Sequence, residues 1–519
     1  KATGYWNLAR LALTQVAEKT RRGGDRKALT QLERDIAVFS NPTSVNAELR
    51  SAHVYDATGP ILHMVGRVLP ETQSGYTLRT HYTAQAQARR DLPVAVVGQS
   101  GITKDTVEKT THYAHEGVDY YLLPGPARGG ALIDVWLRTN IEGLAELVRR
   151  LRPSVLHAHS DFHNALIVHA VGTAFGIPTV YETRGFWEES WLTRAISTQG
   201  WNKNAENIFA TYGHPSAYAL RKHAEEVARS LTNHNFTLAE VMKEHILESG
   251  EESLQTDQVT IVPNAVDAKE FPIQDRDPAL AARLGIPEGA VVIGYISSMV
   301  TYESIETLID GFKVAAGRTS APVHLLLVGG GSHLDALKDH AHRAGVENVT
   351  FTGAVPHDDV LRYYGLIDIF VVPRGKSSVA DLVTPLKPFE AFATGRAVVL
   401  SDVAALKEIA EESGVAETFR AGYPRDLGRK LSALVDDPQR RRDLGVRGAR
   451  WVRSRRTWAH NVVEYYRVYR NLGYRGSADA SLGEELQRSE QFTAPAPQIE
   501  QRPRAPRRQH STAGPPSAE

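Results

Sequence analysis

Two successive trains of short apolar runs, each run followed by a helical stretch, constrain this chain more than any other feature. The first train is ILHMV (61–65), PVAVVG (93–98), DYYLLPG (119–125), SVLHAH (154–159) and IPTVYET (177–183). The rhythm restarts after VTIVPN (259–264). It continues with AVVIGYI (290–296), VHLLLVGGG (323–331), NVTFTG (348–353), IDIFVVPR (367–374) and RAVVLSD (396–402). Strands that are apolar throughout and alternate with helices belong to parallel sheets covered on both faces. Each train therefore predicts a doubly wound, Rossmann-like α/β domain. A chain of 519 residues also exceeds one ordinary core, which agrees with two domains.

The boundaries follow from where the rhythm starts and stops. Residues 1–57 read as a helical N-terminal extension, interrupted at Gly23-Gly24 and Asn41-Pro42, with no assignable chemistry. Residues 58–258 form the first domain and 259–460 the second. Within the second, Ile305, Leu308, Ile309 and Phe312 share one helical face. The amphipathic stretch at 461–475 predicts a helix crossing back onto the first domain. Beyond Gly476 the chain is rich in Ser, Glu, Gln, Pro and Arg and has little to bury, so 476–519 reads as a disordered tail. Two such domains enclose a cleft at the carboxyl ends of their strands, where open α/β sheets bind ligands.

Composition excludes several classes of function. Basic and acidic residues balance at 60 each, so no global field draws the chain to nucleic acid. There is no cysteine, which removes disulfides, thiolate metal sites and a thiol nucleophile. No apolar run approaches the ~18 residues of a membrane span, and the opening stretch lacks a signal peptide's apolar centre. The expectation is a cytoplasmic protein. RRLR (149–152) and the basic tail also suit weak peripheral contact with the inner face of a membrane. Oligomeric state is left open.

The stretch VVPRGKSSVADLVTPLKPFEAFATGRAVVLSD (371–402) carries the densest chemistry. Pro388 suits a first helical turn and Gly395 a C-terminal cap, which pins a helix start near Lys387. Free amides and the positive dipole end there favour an anion. Arg374 leaves the preceding strand on the same rim. Glu390, in the first turn, suits two ribose hydroxyls. The plainer alternative is an exposed i, i+3 pair between Lys387 and Glu390. Gly329 and Gly330, after their strand, allow close backbone approach to a ligand.

This stretch resembles the donor-site segment of glycosyltransferase family four, in a branch reading T-P-L-K-P-x-E-A. Other segments resemble the family in the same order: RPSVLHAHS (152–160), IPTVYETRGFWEESW (177–191), TIVPNAVD (260–267), IGYISSMVTYESIETLI (293–309), LLLVGGG (325–331) and FTGAVPHDDVLRYYGLIDIFVVPR (351–374). The resemblance spans roughly residues 60–475. It implies a GT-B fold and a retaining, nucleotide-sugar-dependent glycosyltransferase.

By that resemblance Glu390 holds the donor ribose, and His159 approaches the donor sugar as a catalytic residue. Gly75 and Arg79 lie on a loop near the donor phosphates and the acceptor, while Glu182, Arg184 and Trp187 contact sugar or acceptor. The chain also departs from the family. Leu382 replaces a glutamate that contacts the sugar, and Ser298 and Glu303 stand where the family has Arg and Lys on the pyrophosphate. Arg374 and Lys387 are therefore expected to replace the lost charge, Ser298 to offer a hydroxyl, and Glu303 to serve helix formation. His157 and His159 are read as pointing to opposite strand faces, which argues against a shared metal. No Asp-x-Asp of the metal-using kind stands in a suitable loop. No cofactor or metal is expected beyond the nucleoside-diphosphate sugar co-substrate. The acceptor is expected to be a glycan, a lipid-linked intermediate or a small molecule. A binding-only GT-B protein and a sugar-nucleotide epimerase remain open alternatives.

Overall fold

The computed structural model describes residues 3–20, 22–45, 49, 57–103, 107–201, 204–249 and 254–492. They build two α/β domains, each around its own sheet. The first sheet has eight strands: β1 Gly59–Val65, β2 Val94–Gly98, β3 Thr111–His115, β4 Val118–Leu122, β5 Pro153–His159, β6 Thr179–Glu182, β7 His234–Thr237 and β8 Val259–Ile261. Their order is β3-β4-β2-β1-β5-β6-β7-β8, parallel except for the β3–β4 hairpin. The second sheet has six: β9 Val291–Ile296, β10 Val323–Val328, β11 Val349–Phe351, β12 Ile369–Val372, β13 Ala397–Ser401 and β14 Glu417–Phe419. Their order is β11-β10-β9-β12-β13-β14, with all pairs parallel.

The apolar runs are continuous because their strands are enclosed on both faces. Every residue of β5, β9 and β10 is buried. In register, β1 and β5 set Leu62 beside Leu156 and His63 beside His157, so the middle of this apolar sheet carries histidines.

Two expected boundaries move. VTIVPN does not open the second domain, since Val259–Ile261 pairs with β7 as the edge of the first sheet, Phe236 opposite Thr260. The chain crosses over after it, where Val266 N–H donates to the carbonyl of Arg456 at 3.0 Å. The second correction concerns the expected tail. Ala480–Phe492 is a helix anchored by Leu482, which is fully buried with Tyr474 and Tyr469. Arg90 binds Asp479 at 3.2 Å and Glu485 at 3.3 Å. One buried leucine and two carboxylates around an arginine are enough to dock a segment whose composition is otherwise polar. The remaining residues, 493–519, lie outside the described residues.

The returning helix, Trp458–Asn471, packs Tyr465 and Tyr469 against Ile61, Val155 and Phe236 of the first domain. The N-terminal helices Trp6–Thr20 and Gly23–Ser40 also join the first domain's core, with Trp6, Leu32 and Phe39 among Trp136 and Phe162. Among the described residues no helix is long and apolar enough to cross a membrane.

Candidate active site

The loops after β1, β6, β9 and β12 meet between the domains around a cavity of about 410 Å³. Gly75, Arg79, Arg184 and Trp187 line it from the first domain. Ser298, Glu303, Arg374, Lys387 and Glu390 line it from the second. Residues more than three hundred positions apart in sequence thus share one space at the carboxyl edges of both sheets.

Each cation lining this cavity sits against a carboxylate. Arg374 binds Glu303 through Nη2 at 2.9 Å and Nε at 3.2 Å, and its Nη1 donates to the carbonyl of Val383 at 2.7 Å. Burial works against the guanidinium's charge, but Glu303 more than offsets it and raises the Arg374 pKa. Glu303 also accepts from the Tyr295 hydroxyl at 2.5 Å. It closes a 3-10 turn, Thr301–Glu303, ahead of the helix starting at Ile305. Its role is structural, yet the cause is the ion pair and not the helix dipole. Lys387 Nζ lies 2.9 Å from Glu390 Oε2, so the i, i+3 pair forms, inside the cavity and not on an open surface. The Tyr364 hydroxyl donates to the same oxygen at 2.8 Å.

The helix after Pro385 runs Lys387–Ala393. Fewer amides are free at its start than expected. Pro388 has none, and those of Phe389 and Glu390 already donate to the carbonyl of Leu386. The first domain's helix Gly75–Ala88 starts at the same cavity, opened by a capping box between Ser74 and Thr77. A Cβ on Gly75 would sit 3.6 Å from Leu386, an ordinary contact, so this glycine marks where the domains touch.

Several expected site residues have other work. Arg79 is 2% exposed. It donates to Glu182 at 2.8 Å, to the carbonyls of Val262 and Pro263, and to Asn264. It clamps the crossover segment, which takes up both terminal nitrogens, while Glu182 takes up its Nε. Glu182 is fully buried and accepts from Arg79, Arg184 and the Tyr465 hydroxyl. Burial pushes its carboxyl up, but Arg184 and Arg79 outweigh that and hold it well below the usual carboxylate range. Arg184 donates to Glu182, Thr80 and the carbonyl of Tyr76, while its Nη2 is buried with no partner among the described residues. It alone of the three carries spare hydrogen-bonding capacity at the cavity.

His159 needs the largest correction. Residues two apart on a strand share a face, so the expectation of opposite faces was mistaken. The His157 and His159 rings stack with centroids 4.2 Å apart. Both are fully buried behind Glu182, and His159 does not line the cavity. His159 Nε2 lies 2.9 Å from His63 Nδ1, and His63 Nε2 lies 2.8 Å from Gln87 Oε1. Burial and, next, Arg184 lower the His159 pKa well below its ordinary value. It is a neutral interior histidine here. One ring nitrogen from each of these three histidines falls within 4.8 Å of the others, as do ligand atoms of His81, His115 and Glu116 elsewhere. Either group has the donor types of a metal site, but His63 and His159 already spend nitrogens on each other.

Gly329 and Gly330 do not line the cavity either. Gly329 has φ +135° and a Cβ there would meet the carbonyl oxygen of Ser297 at 1.9 Å, so the glycine serves backbone packing under the cavity's rim. Two partners escaped sequence reasoning. Asn264 joins the domains by accepting from Arg79 and donating to the carbonyl of Thr384 at 2.8 Å, and Tyr364 orients Glu390. Asn264 stood in a segment with family resemblance, and Tyr364 in the run before β12. Neither bond has a local signature.

Two parallel-sheet α/β domains facing across such a cavity define the GT-B class. A family model described as "Glycosyl transferase 4-like domain" matches residues 74–265, and one described as "Glycosyl transferases group 1" matches 290–437. With both domains matched in order, the chain is placed among the GT-B glycosyltransferases of family four. It is similar to D-inositol 3-phosphate glycosyltransferase of Nocardia farcinica, 27% identical over 40% of this chain and 46% of that one. It is also similar to the GDP-mannose-dependent alpha-(1-6)-phosphatidylinositol monomannoside mannosyltransferase of Mycobacterium tuberculosis, 26% identical over 38% and 52%. These matches span about half the length of the curated relatives. Sucrose-phosphate synthase from Thermosynechococcus elongatus shares the fold, with TM-score 0.61 and 16% identity over 80% of this chain and 99% of that one.

Proposed function

We propose that this chain transfers a sugar from a nucleoside-diphosphate sugar to an acceptor hydroxyl, with retention at the anomeric carbon. The acceptor class is a glycan, a lipid-linked intermediate or a small molecule. The observation that carries the reading is the meeting of Arg374, Lys387 and Glu390 in one cavity between the domains. Glu390 accepts from ribose hydroxyls through the oxygen not held by Tyr364 and Lys387. Lys387, the remaining N–H groups of Arg374 and the Ser298 hydroxyl face the two phosphates. The bond from the anomeric carbon to the phosphate oxygen breaks, and the acceptor oxygen bonds the same carbon from the same face. The acceptor's proton passes to the departing phosphate oxygen. Preorganised donors at that oxygen lower the barrier because charge builds there. The residues named need no metal ion for this. His159, enclosed and bonded through Nε2 to His63, does not touch the sugar in this reading.

Calorimetric titration of the full chain with UDP, GDP and ADP tests the reading. One of the three is expected to bind, and Glu390→Gln to weaken it. Failure of all three to bind would end the proposal. Binding without consumption of any matching nucleotide sugar would leave a binding protein instead.

A further inference from the structure

Next to the donor cavity lies a larger one, of about 1160 Å³, sharing Trp187, Ser190, Tyr302 and Val379 with it. Both cavities are lined by more cations than carboxylates, but the cations differ in how they are partnered. In the donor cavity Arg79, Arg184, Arg374 and Lys387 each sit against a carboxylate. In the larger cavity Arg67, Arg194 and Lys376 line the wall, and none has a carboxylate partner among the described residues. Glu206 is the sole carboxylate lining it. Arg67 comes from the loop after β1, Arg194 from the helix Trp187–Thr198 and Lys376 from the loop after β12, so both domains contribute. The Arg67 guanidinium lies 6.0 Å from the Trp187 ring centroid. That ring stands where the two cavities join, as a face on which a sugar or polyol can rest.

We propose that this larger cavity is the acceptor site and that it selects an acceptor bearing a phosphate group. Arg67, Arg194 and Lys376 bind the phosphate, and the acceptor's carbohydrate or polyol part passes Trp187 toward the donor cavity. Cations gathered around one cavity without counter-charges repel one another, and a phosphate entering between them replaces that repulsion with charge-assisted hydrogen bonds. The donor's own phosphates do not need these side chains if Lys387 and Arg374 hold them, so the assignment rests on the donor reading above. Glu206, as the one opposing charge, limits affinity and allows release.

The test uses the full chain, with or without saturating nucleotide, and glucose 6-phosphate against glucose as probes in calorimetry. Glucose 6-phosphate is expected to bind at least roughly tenfold tighter than glucose, and to weaken as salt rises from about 50 to about 300 mM. Arg194→Ala with Lys376→Ala is expected to cost roughly tenfold in glucose 6-phosphate affinity while leaving nucleotide affinity within about twofold. Glu206→Gln is expected to tighten the sugar phosphate, a gain that a misfolded protein does not give. Equal binding of the two probes would overturn the proposal. So would a double variant that loses nucleotide affinity instead, since the cations would then belong to the donor. If no nucleotide binds, the donor reading fails, and the probe titration on nucleotide-free protein still decides whether this wall selects phosphate.

Discussion

Arg374 and Glu303 form a two-point ion pair, 2.9 and 3.2 Å, on the wall of the donor cavity. Under the proposed function, Arg374 is held by a resident carboxylate until a diphosphate competes for it. The arrangement keeps a buried guanidinium compensated. Glu303→Gln tests this, because a buried charge that loses its partner is costly, about 3 kcal/mol or more. Urea unfolding is expected to show that loss, and a bound nucleoside diphosphate to restore part of it. A variant whose ligand-induced stabilisation is no larger than the parent's would show that Arg374 does not meet the phosphates.

Under the proposed function, Lys387 is the cation whose removal bears most directly on turnover. Lys387→Ala is expected to lower turnover about 10²–10³-fold in a nucleotide-release assay, the usual cost of one transition-state donor. Its bond to Glu390 predicts an additional weakening of nucleotide binding in the same variant, smaller than that caused by Glu390→Gln. Unchanged turnover would remove Lys387 from the leaving-group side of the site.

The way these residues meet shows what the sequence could and could not reveal. Runs such as VHLLLV and VVIGYI were legible as buried parallel strands because burial on both faces leaves an apolar signature in every residue. THYAH and HNFT became β3 and β7 without that signature, since β3 pairs only with β4 and β7 carries His234 and Asn235. Val259–Ile261 was assigned to the wrong domain because sheet membership is settled by a partner strand, not by the run itself. Lys387 and Glu390 were legible from helical spacing and family resemblance. The partnership of Arg374 with Glu303, 71 positions away, was not, and neither was the reach of Arg79 across to Val262 and Tyr465. Local sequence carries no record of which distant carboxylate will neutralise a given cation.

The buried histidines make stability depend on pH in a definite direction. His63, His157 and His159 all have lowered pKa values, chiefly through burial. The unfolded chain takes up their protons below about pH 6.5 while the folded chain does not. Their contribution is complete above that pH and is lost as pH falls toward the folded-state values. Each such histidine steepens the decline by up to about 1.4 kcal/mol per pH unit. Thermal midpoints measured from pH 7.5 to pH 5 are expected to fall, and to fall less steeply in His63→Gln. Identical slopes for parent and variant would show that His63 titrates normally in the fold.

Arg79 and Tyr465 separate charge from hydrogen bonding in the joint between the first domain and the returning helix. Both reach Glu182, Arg79 through Nε to Oε1 at 2.8 Å and Tyr465 through its hydroxyl to Oε2 at 2.6 Å. Arg79 also holds the carbonyls of Val262 and Pro263, where the chain leaves the first sheet. Arg79→Ala strips a fully buried carboxylate of one of its cations and frees the crossover, so a loss of about 3–5 kcal/mol is expected. Tyr465→Phe removes one hydrogen bond to a charged group and is expected to cost about 1.5–3 kcal/mol. Because both changes act on Glu182, the double variant is expected to lose less than the sum of the two. Denaturant unfolding of the three variants measures this directly, and strict additivity would mean that the two contacts act on separate parts of the joint.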